Sequence, residues 1–416
     1  MTKPKVHIIG AGIVGLATAG VLLQRGYCVT ILDREGPAAG ASQGNAGAIA
    51  WTDVAPLASP GLWKQATKWL LDPLGPLTVR PAYALQILPW MVRFLAASNP
   101  KRVAQSTEAL AALNAEVVPA WERLWRVSGT HNQVRRDGSL ELFDSASDLA
   151  KKRSSWEEQR RYGINVEELD AGAIRELEPA LSDRVIGGAL VPEWMQVDDP
   201  HILCLSLADW LKGQGVAFEV GDVGEVEKIE PLEVGAMLHL KSGQQITSEK
   251  VIIACGAWSK SLATQLGDYI PLDTERGYNI TIPEPGIDVN RFIMLPGHGF
   301  VLSPLSTGLR VGGAVEFGGL KLPSNWKRVD AMVTKARRFF PDLKTEGGKR
   351  WMGYRPSLPD SLPVIGPATK CSGIFYGFGH AHHGLTESAI TAEMIVDMMD
   401  GKTPSVDPKP FAAGRF

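Results

Sequence analysis

The chain has 416 residues, of which 44% are hydrophobic and 21% are charged, and its formal net charge is −2 at pH 7. The length predicts two domains, the composition is typical of a globular protein, and the charge provides no basic field for nucleic acid. The four cysteines form no CxxC pair, which fits free thiols in a reducing compartment. Because the first predicted strand begins near residue 5, we expect no targeting peptide and a cytoplasmic location.

Residues 6–33 predict a strand, a glycine turn, an apolar helix and a second strand that ends at Asp33. In such a unit Gly10 allows the tight turn, Gly12 lets the backbone approach a pyrophosphate, and Gly15 lets the helix pack on the strand. The helix N-terminus presents N–H groups to the phosphates, and Asp33 accepts hydrogen bonds from a ribose. A signal peptide or membrane span is the alternative, which the glycines and the acidic strand end disfavour. We predict a dinucleotide-binding unit.

A long loop of small residues follows the second strand. Residues 35–47 are mainly Gly, Ala, Ser and Asn, a composition that lets the backbone pass close to a flat ligand. A flexible linker is the alternative. The position directly after Asp33 favours the ligand-binding interpretation.

Residues 51–100 are rich in tryptophan and apolar residues and hold several lysines and arginines. Two interpretations stay open: a helical subdomain packed on the core, or a surface that faces lipid while its cations lie near head groups. Prolines interrupt the apolar runs, so this stretch is not expected to span a membrane. The residues of the second interpretation are Trp63, Lys64, Lys68, Trp69, Leu70, Leu71, Trp90, Arg93, Phe94 and Leu95.

The rest of the chain predicts both helices and strands. The predicted elements are a charged helical region over 101–180 with a strand at 138–143, a helix from 198 to 211, a strand at 216–220 that ends near Val223, a hairpin of 237–240 with 245–247, a buried strand at 250–255, antiparallel strands within 270–340, a stiff loop at 351–367, a strand at 374–377, a turn at 378–386 and a helix at 387–399.

The motifs of this chain resemble, in their order, those of the flavin-dependent D-amino-acid oxidase superfamily, and most closely the small subunit of bacterial D-amino-acid dehydrogenases. Besides the N-terminal glycine unit, the resemblance is carried by residues 42–47, 254–259, 276–283, 353–360 and 379–386. It implies an α/β protein with a discontinuous Rossmann-type domain that binds FAD, and non-covalent attachment is favoured. The implied segments are 1–80, 186–268 and 350–416 for this domain, and 81–185 and 269–349 for an inserted antiparallel-sheet substrate domain.

The resemblance also implies an activity. The enzyme would oxidise D-amino acids to imino acids, which hydrolyse to 2-oxo acids and ammonia, and would pass electrons from FAD to a quinone or another acceptor. Alternative substrates are cyclic or N-alkylated amino acids such as D-proline, D-hydroxyproline, sarcosine and glycine. An NAD-dependent dehydrogenase and a flavin-bearing subunit without turnover are less favoured. The resembled dehydrogenases work at the inner face of the bacterial membrane, so peripheral membrane association is also considered, and the oligomeric state stays open.

Arg355 matches the family arginine that binds the substrate carboxylate, a role that suits a guanidinium because its fork pairs with both oxygens. A surface ion pair is the alternative. Tyr278 matches a tyrosine near the substrate, although a tyrosine packed in a core would look the same. Neither a cysteine nor a carboxylate joins His380, His382 and His383 at ligand spacing, so no metal is expected. At 381–383 this chain has Ala-His-His, where members of the resembled family often have smaller or more apolar residues. The shape of the pocket floor, and hence the preference for a substrate side chain, is therefore not predicted.

The predicted site has a catalytic part and a cofactor-binding part. The predicted catalytic residues are Arg355, Tyr278 and His383. Residues 379–386 precede a helix, whose N-terminal N–H groups would stabilise negative charge on the flavin. The predicted cofactor-binding residues are Gly10, Gly12, Ile13, Val14, Gly15, Asp33, Arg34, Ser42, Asn45, Ala46, Gly47, Val223, Gly256, Trp258, Gly379, His380, Gly384, Leu385 and Thr386.

Overall fold

The computed structural model describes residues 4–58 and 77–416. Its helices within these ranges, numbered in chain order, are α1 (Ile13–Gln24), α2 (Ala84–Ala97), α3 (Pro100–Ala115), α4 (Val117–Ser128), α5 (Ala146–Arg161), α6 (Ala171–Leu177), α7 (Pro200–Gly213), α8 (Ser259–Gln265), α9 (Lys327–Phe339) and α10 (Gly384–Met399).

The first sheet has six strands, in the spatial order β10–β2–β1–β14–β21–β20. All neighbours pair in parallel except β20 and β21, which are antiparallel. Helix α1 is apolar on all sides because it packs against this sheet and against α7 and α10. In chain order the strands are β1 (Lys5–Ile9), β2 (Cys28–Asp33), β10 (Ala217–Val220), β14 (Val251–Ile253), β20 (Val364–Pro367) and β21 (Ile374–Phe378).

The second sheet has the order β19–β15–β18–β17–β16–β6–β8–β7, and β4 also pairs with β18. It is mostly antiparallel, but β16 pairs with β6 and β18 with β4 in parallel. Helix α9 packs on this sheet through an apolar face. The strands are β4 (Leu77–Val79), β6 (Ser139–Phe143), β7 (Glu167–Asp170), β8 (Gly187–Val191), β15 (Asp273–Ile282), β16 (Phe292–Leu295), β17 (Phe300–Leu305), β18 (Gly308–Phe317) and β19 (Lys349–Ser357).

Two three-stranded sheets complete the described strands, in the orders β3–β9–β5 and β11–β12–β13. The second of these contains the predicted hairpin. Their strands are β3 (Ala48–Ile49), β5 (Val134–Arg135), β9 (Met195–Val197), β11 (Val226–Pro231), β12 (Ala236–Leu240) and β13 (Gln245–Ser248).

The predicted α/β class is confirmed, and three local predictions are wrong. Residues 349–357 form strand β19 instead of a loop; its Pro356 is tolerated because β19 is at the edge of the sheet, where a missing N–H costs little. Helix α9 occupies part of the region predicted as strands. Helix α10 begins at Gly384, three residues earlier than predicted, so the predicted turn is shorter.

The strand pairing bears on the proposed domain boundaries. Strands β8 and β19 belong to the second sheet, although both fall within segments that the sequence assigns to the nucleotide-binding domain. Conversely, α3 and α4 fall within a predicted substrate-domain segment, yet their residues share a core with α1 and α10. Sheet and core membership thus cross the predicted segments, and the division into two domains stays a prediction.

The structure divides the proposed lipid-facing residues into two groups. Trp90 and Phe94 are buried against Phe317, so the core-packing interpretation applies to these two residues. Arg93 and Leu95 are exposed on α2. No helix in residues 4–58 and 77–416 is long and apolar enough to cross a membrane. The remaining members of the set lie outside the described residues; they are Trp63, Lys64, Lys68, Trp69, Leu70 and Leu71.

Candidate active site

A single cleft runs from the carboxyl ends of β1 and β2 to strand β19. One end is lined by the glycine turn, the residues after β2, and the segment after β14. The other end is lined by Tyr354, Arg355 and Pro356 and by the residues that precede α10. The position at the carboxyl ends of parallel strands is where open α/β sheets bind ligands.

Close backbone packing shapes the glycine turn. Gly10 has a φ of +114°, and a Cβ there would lie 2.5 Å from the carbonyl oxygen of Ala254. A Cβ on Gly15 would overlap the carbonyl oxygen of Gly10. Both glycines are therefore required by sterics, as their spacing predicts, and Gly15 acts through packing without lining the cleft.

Asp33 organises the end of β2. Its Oδ2 accepts a hydrogen bond from the N–H of Ala11 at 2.7 Å, and its Oδ1 accepts from the N–H groups of Glu35 and Gly36, both at 2.8 Å. The carboxylate thus fixes both the glycine turn and the following loop while lining the cleft. The same arrangement leaves the remaining lone pairs of its oxygens for a ribose.

Arg34 and Trp258 form a contact across this end of the cleft. The Arg34 guanidinium lies 3.8 Å from the centre of the Trp258 ring, and both residues line the cleft. Val223, predicted at the end of strand β10, is not among the lining residues. Residues 224–227, including Val226, line the cleft instead. Val223 ends a 3₁₀ turn at 221–223, directly before this lining segment, and its role in cofactor binding stays a prediction.

The loop 42–47 is held from two sides. Ser42 Oγ accepts a hydrogen bond from the Ile13 N–H at 3.0 Å, at the start of α1. The Asn279 amide of β15 donates to the Gly44 carbonyl at 2.7 Å, and Arg310 of β18 donates to the Asn45 carbonyl. Ser42 and Asn45 line the cleft, whereas Ala46 and Gly47 do not. The loop is therefore a fixed wall between the two sheets, which supports the ligand-binding interpretation over a flexible linker.

Arg355 lies on β19 directly opposite Glu275 of β15. A Cβ on Gly277 would overlap the Arg355 guanidinium, so this glycine provides the space for it. The guanidinium donates to the Ala314 carbonyl at 3.2 Å. Burial lowers the pKa of Arg355 from its ordinary high value, and Glu275 opposes that shift. Among the described residues, no carboxylate oxygen lies within 4 Å of Arg355, so the surface ion pair considered from the sequence is not seen.

Tyr278 lies away from the cleft. Its hydroxyl is 2.8 Å from Glu316 Oε1 and accepts a hydrogen bond from the Asn325 N–H, and its ring contacts Trp326. Side chains alternate between the two faces of a strand, so Tyr278 points to the face opposite Gly277. The structure therefore places this tyrosine in the core of the second sheet, which was the alternative interpretation of its sequence pattern.

The three histidines before α10 have three different environments. His380 is buried against the Thr391 hydroxyl at 2.9 Å, and burial lowers its pKa to about 3, so it is neutral. His382 lines the cleft, with Nε2 2.9 Å from Glu275 Oε2. His383 has Nε2 3.7 Å from Asp53 Oδ2 and does not line the cleft; burial lowers its pKa.

The structure brings most of the predicted residues together in one cleft, and their roles there stay predictions. His382 and its partner Glu275 were missed. Of the predicted residues, the cleft is lined by Gly10, Gly12, Ile13, Val14, Asp33, Arg34, Ser42, Asn45, Gly256, Trp258, Arg355, His380, Gly384 and Leu385. Those that do not line it are Gly15, Ala46, Gly47, Val223, Tyr278, Gly379, His383 and Thr386.

Comparison with known proteins identifies the family. Residues 5–398 match the DAO family, described as FAD dependent oxidoreductase. The chain belongs to this family. It is 34% identical to a D-amino-acid oxidase of Bradyrhizobium diazoefficiens over 99% of this chain and 98% of the relative. It is 31% identical to a D-amino acid dehydrogenase of Rhizobium johnstonii over 99% of this chain and all of the relative.

Solved structures show the same fold. Glycine oxidase from Geobacillus kaustophilus superposes with a TM-score of 0.76 at 22% identity, with both chains fully covered. L-proline dehydrogenase from P. horikoshii gives a TM-score of 0.75 at 18% identity, covering all of this chain and 98% of the other. At these identities the likeness concerns the fold alone.

The residues of the cleft fit FAD. Helix α1 begins at the cleft with Gly12 as its N-cap, and Gly12, Ile13 and Val14 line the cleft, so the positive end of the helix dipole suits an anionic pyrophosphate. Asp33 would accept hydrogen bonds from the ribose, and Arg34 and Trp258 line the same end of the cleft. Bound FAD supplies the acceptor for a hydride in this family's redox chemistry.

Replacing Gly277 by alanine tests the placement of Arg355. The added methyl group would overlap the guanidinium and displace it, so the Kd for a simple carboxylate such as propionate should rise about tenfold or more, which is about 1.4 kcal/mol. Titration of the flavin absorbance with propionate measures this, and the FAD content should not change. Gly213→Ala, at an open position at the end of α7, is the control. An unchanged propionate Kd in Gly277→Ala would contradict the assigned position of Arg355.

Proposed function

We propose that this enzyme oxidises D-amino acids to imino acids, which water hydrolyses to 2-oxo acids and ammonia. The observation that carries the proposal is Arg355: a partly buried guanidinium that lines the cleft and has a carbonyl but no carboxylate oxygen within 4 Å among the described residues. Its guanidinium therefore has N–H donors left for a ligand in the cleft. An α-carboxylate can accept two parallel hydrogen bonds from these donors.

The names of the relatives support the substrate class. Full-length relatives at 30–34% identity carry the names D-amino-acid oxidase and D-amino acid dehydrogenase. A carboxylate held by Arg355 would fix the substrate at one point, and orientation of this kind lowers the barrier of the chemical step. No described contact favours cyclic or N-alkylated amino acids over primary D-amino acids.

We further propose that the electrons leave FAD for a quinone or another carrier. Several full-length relatives at about 30% identity are named dehydrogenases, although the relative at 34% is named an oxidase. A quinone is dissolved in lipid, so this acceptor would favour association with the inner face of the cytoplasmic membrane.

Helix α2 provides a surface suited to such association. Leu85, Leu88, Val92 and Leu95 are 86%, 55%, 59% and 47% exposed, and their spacing places them along one side of the helix. Basic residues are exposed nearby, namely Arg93, Lys101 and Arg102. Apolar residues flanked by cations bind at the interface of an anionic bilayer. We propose this side of α2 as the lipid-binding surface.

Arg355→Ala tests the substrate assignment. Loss of the charge-assisted pair should cost about 2–5 kcal/mol, which lowers kcat/KM for a D-amino acid by roughly 30- to 5,000-fold. FAD content should stay the same. The control is Arg350→Ala on the same strand, where an exposed arginine pairs with Asp330 at 2.6 Å. Equal kcat/KM in Arg355→Ala and wild-type enzyme would remove Arg355 from the substrate site.

The acceptor is tested by reoxidation. After anaerobic reduction by a D-amino acid, we expect slow reaction of the flavin with O2 and fast reaction with a soluble quinone analogue. Stopped-flow absorbance measures both rates in the same preparation. Rapid formation of one equivalent of hydrogen peroxide would instead make this enzyme an oxidase.

Vesicle binding tests the surface of α2. The enzyme should sediment with phosphatidylglycerol vesicles at low salt and less at high salt, since its cations are screened. Leu88→Glu combined with Val92→Glu should abolish binding without loss of FAD. Val234→Glu combined with Tyr269→Glu, exposed residues elsewhere, is the control. Unchanged binding of the Leu88/Val92 variant, or no binding by the wild type, would contradict the assignment.

A further inference from the structure

His382 and Glu275 form a pair beside the carboxylate-binding arginine. Glu275 is 3% exposed, lies opposite Arg355 in the β15–β19 ladder, and has Oε2 2.9 Å from His382 Nε2. His382 lines the cleft together with Arg355. The pair thus lies in the same cleft as the guanidinium proposed to bind the substrate carboxylate.

The backbone fixes His382 in this position. The preceding residue, Ala381, has a φ of +46°, a left-handed conformation that is uncommon for a residue with a side chain. Its N–H donates to the Pro356 carbonyl of β19 at 2.8 Å. His382 is therefore held against β19 by its backbone and against β15 by its imidazole.

The carboxylate of Glu275 determines the state of the imidazole. Burial raises the pKa of Glu275, but His382 and Arg355 outweigh burial and hold it below its usual value, so Glu275 is ionised. An ionised carboxylate only accepts hydrogen bonds, so the 2.9 Å contact requires a proton on Nε2 of His382, and in the neutral form of the ring the lone pair is on Nδ1. Nδ1 makes no hydrogen bond to any residue within 4–58 and 77–416.

An amino acid needs such an acceptor before it can be oxidised. In solution its nitrogen is an ammonium group, which has no lone pair from which to form the C=N bond when the Cα–H leaves with its electron pair. One N–H proton must first be removed. General bases that do this are within hydrogen-bond reach of the proton and are most often histidines.

On the basis of the proposed function, we propose that His382 is the proton acceptor for the substrate ammonium and that Glu275 is its positioning residue. An ammonium N–H bond breaks and an Nδ1–H bond forms, which leaves the substrate with a neutral amine and His382 with a positive charge. The negative Glu275 carboxylate stabilises that charge. The lone pair of the amine would then be available to form the π bond of an iminium product, with bound FAD supplying the acceptor for the hydride and its electron pair.

Other charged groups surround His382 and could also affect the pH profile of the enzyme. Glu275 faces it from β15, Arg355 from β19, and His383 follows it in the chain, with Asp53 beyond His383. Glu275 and Arg355 are of opposite charge, and burial keeps His383 predominantly neutral. These groups are unchanged in a His382→Gln variant, so a difference between its pH profile and that of the wild type reports on His382.

The experiment compares His382→Gln and Glu275→Gln with the wild-type holoenzyme. At neutral pH, kcat/KM for a D-amino acid should fall about 10²- to 10⁴-fold in His382→Gln and less in Glu275→Gln. The loss should shrink as pH rises, because more substrate then arrives as free amine. The control is His298→Gln, which removes a histidine–carboxylate pair with Asp144 at 3.0 Å outside the cleft and should leave the profile unchanged.

Two readouts do not depend on turnover. Propionate has no ammonium group, so its Kd should change less than threefold in His382→Gln. Nitrogen-15 NMR of the histidines should show the Nε2–H tautomer for His382 in the wild type and a loss of that preference in Glu275→Gln. A pH profile and tautomer equal to those of the wild type would overturn the proposal, as would a parallel loss of propionate binding. Failure of every D-amino acid to reduce wild-type FAD would instead overturn the proposed function.

Discussion

Strand β19 is the element to which both sides of the cleft are attached. It pairs along β15 of the second sheet, its Pro356 carbonyl accepts the Ala381 N–H from the segment before α10, and its Tyr354 ring packs edge-on against Trp258 at 5.5 Å. Because these contacts fix one strand from three directions, the guanidinium that it carries has a defined position relative to the FAD-binding residues. The proposed binding of a substrate carboxylate by Arg355 depends on that fixed position.

Two arginines of this region show why Arg355 is available to a ligand. Arg276 is fully buried, pairs with Glu316 at 3.5 Å, and donates to the carbonyls of Gly318 and Leu322 among others. Its hydrogen bonds are satisfied within the protein, so it stabilises the second sheet. Arg355 is partly buried, lines the cleft, and has only one carbonyl partner among the described residues. The Arg276 guanidinium is therefore structural, whereas the Arg355 guanidinium has N–H groups that make no hydrogen bond within the described residues and are available to a ligand.

The dinucleotide unit could be predicted from the sequence because it is local: the turn, the helix start and Asp33 are formed by residues close in the chain. Strand β19 could not, because Pro356 and Pro359 resemble loop residues and only the tertiary structure shows an edge strand. Tyr278 was carried over by motif resemblance, whereas strand alternation places it opposite the cleft. His382 was missed because its partner Glu275 is 107 residues away in the chain.

We propose that this cleft oxidises an amino acid that is held by its carboxylate. To test this, the purified FAD enzyme is mixed anaerobically with matched D-amino acids, L-amino acids and the corresponding amines without a carboxylate, while flavin absorbance is followed. The D-amino acids should bleach the flavin, and the decarboxylated amines should not. Equal bleaching by the amines, or none by any D-amino acid, would contradict it.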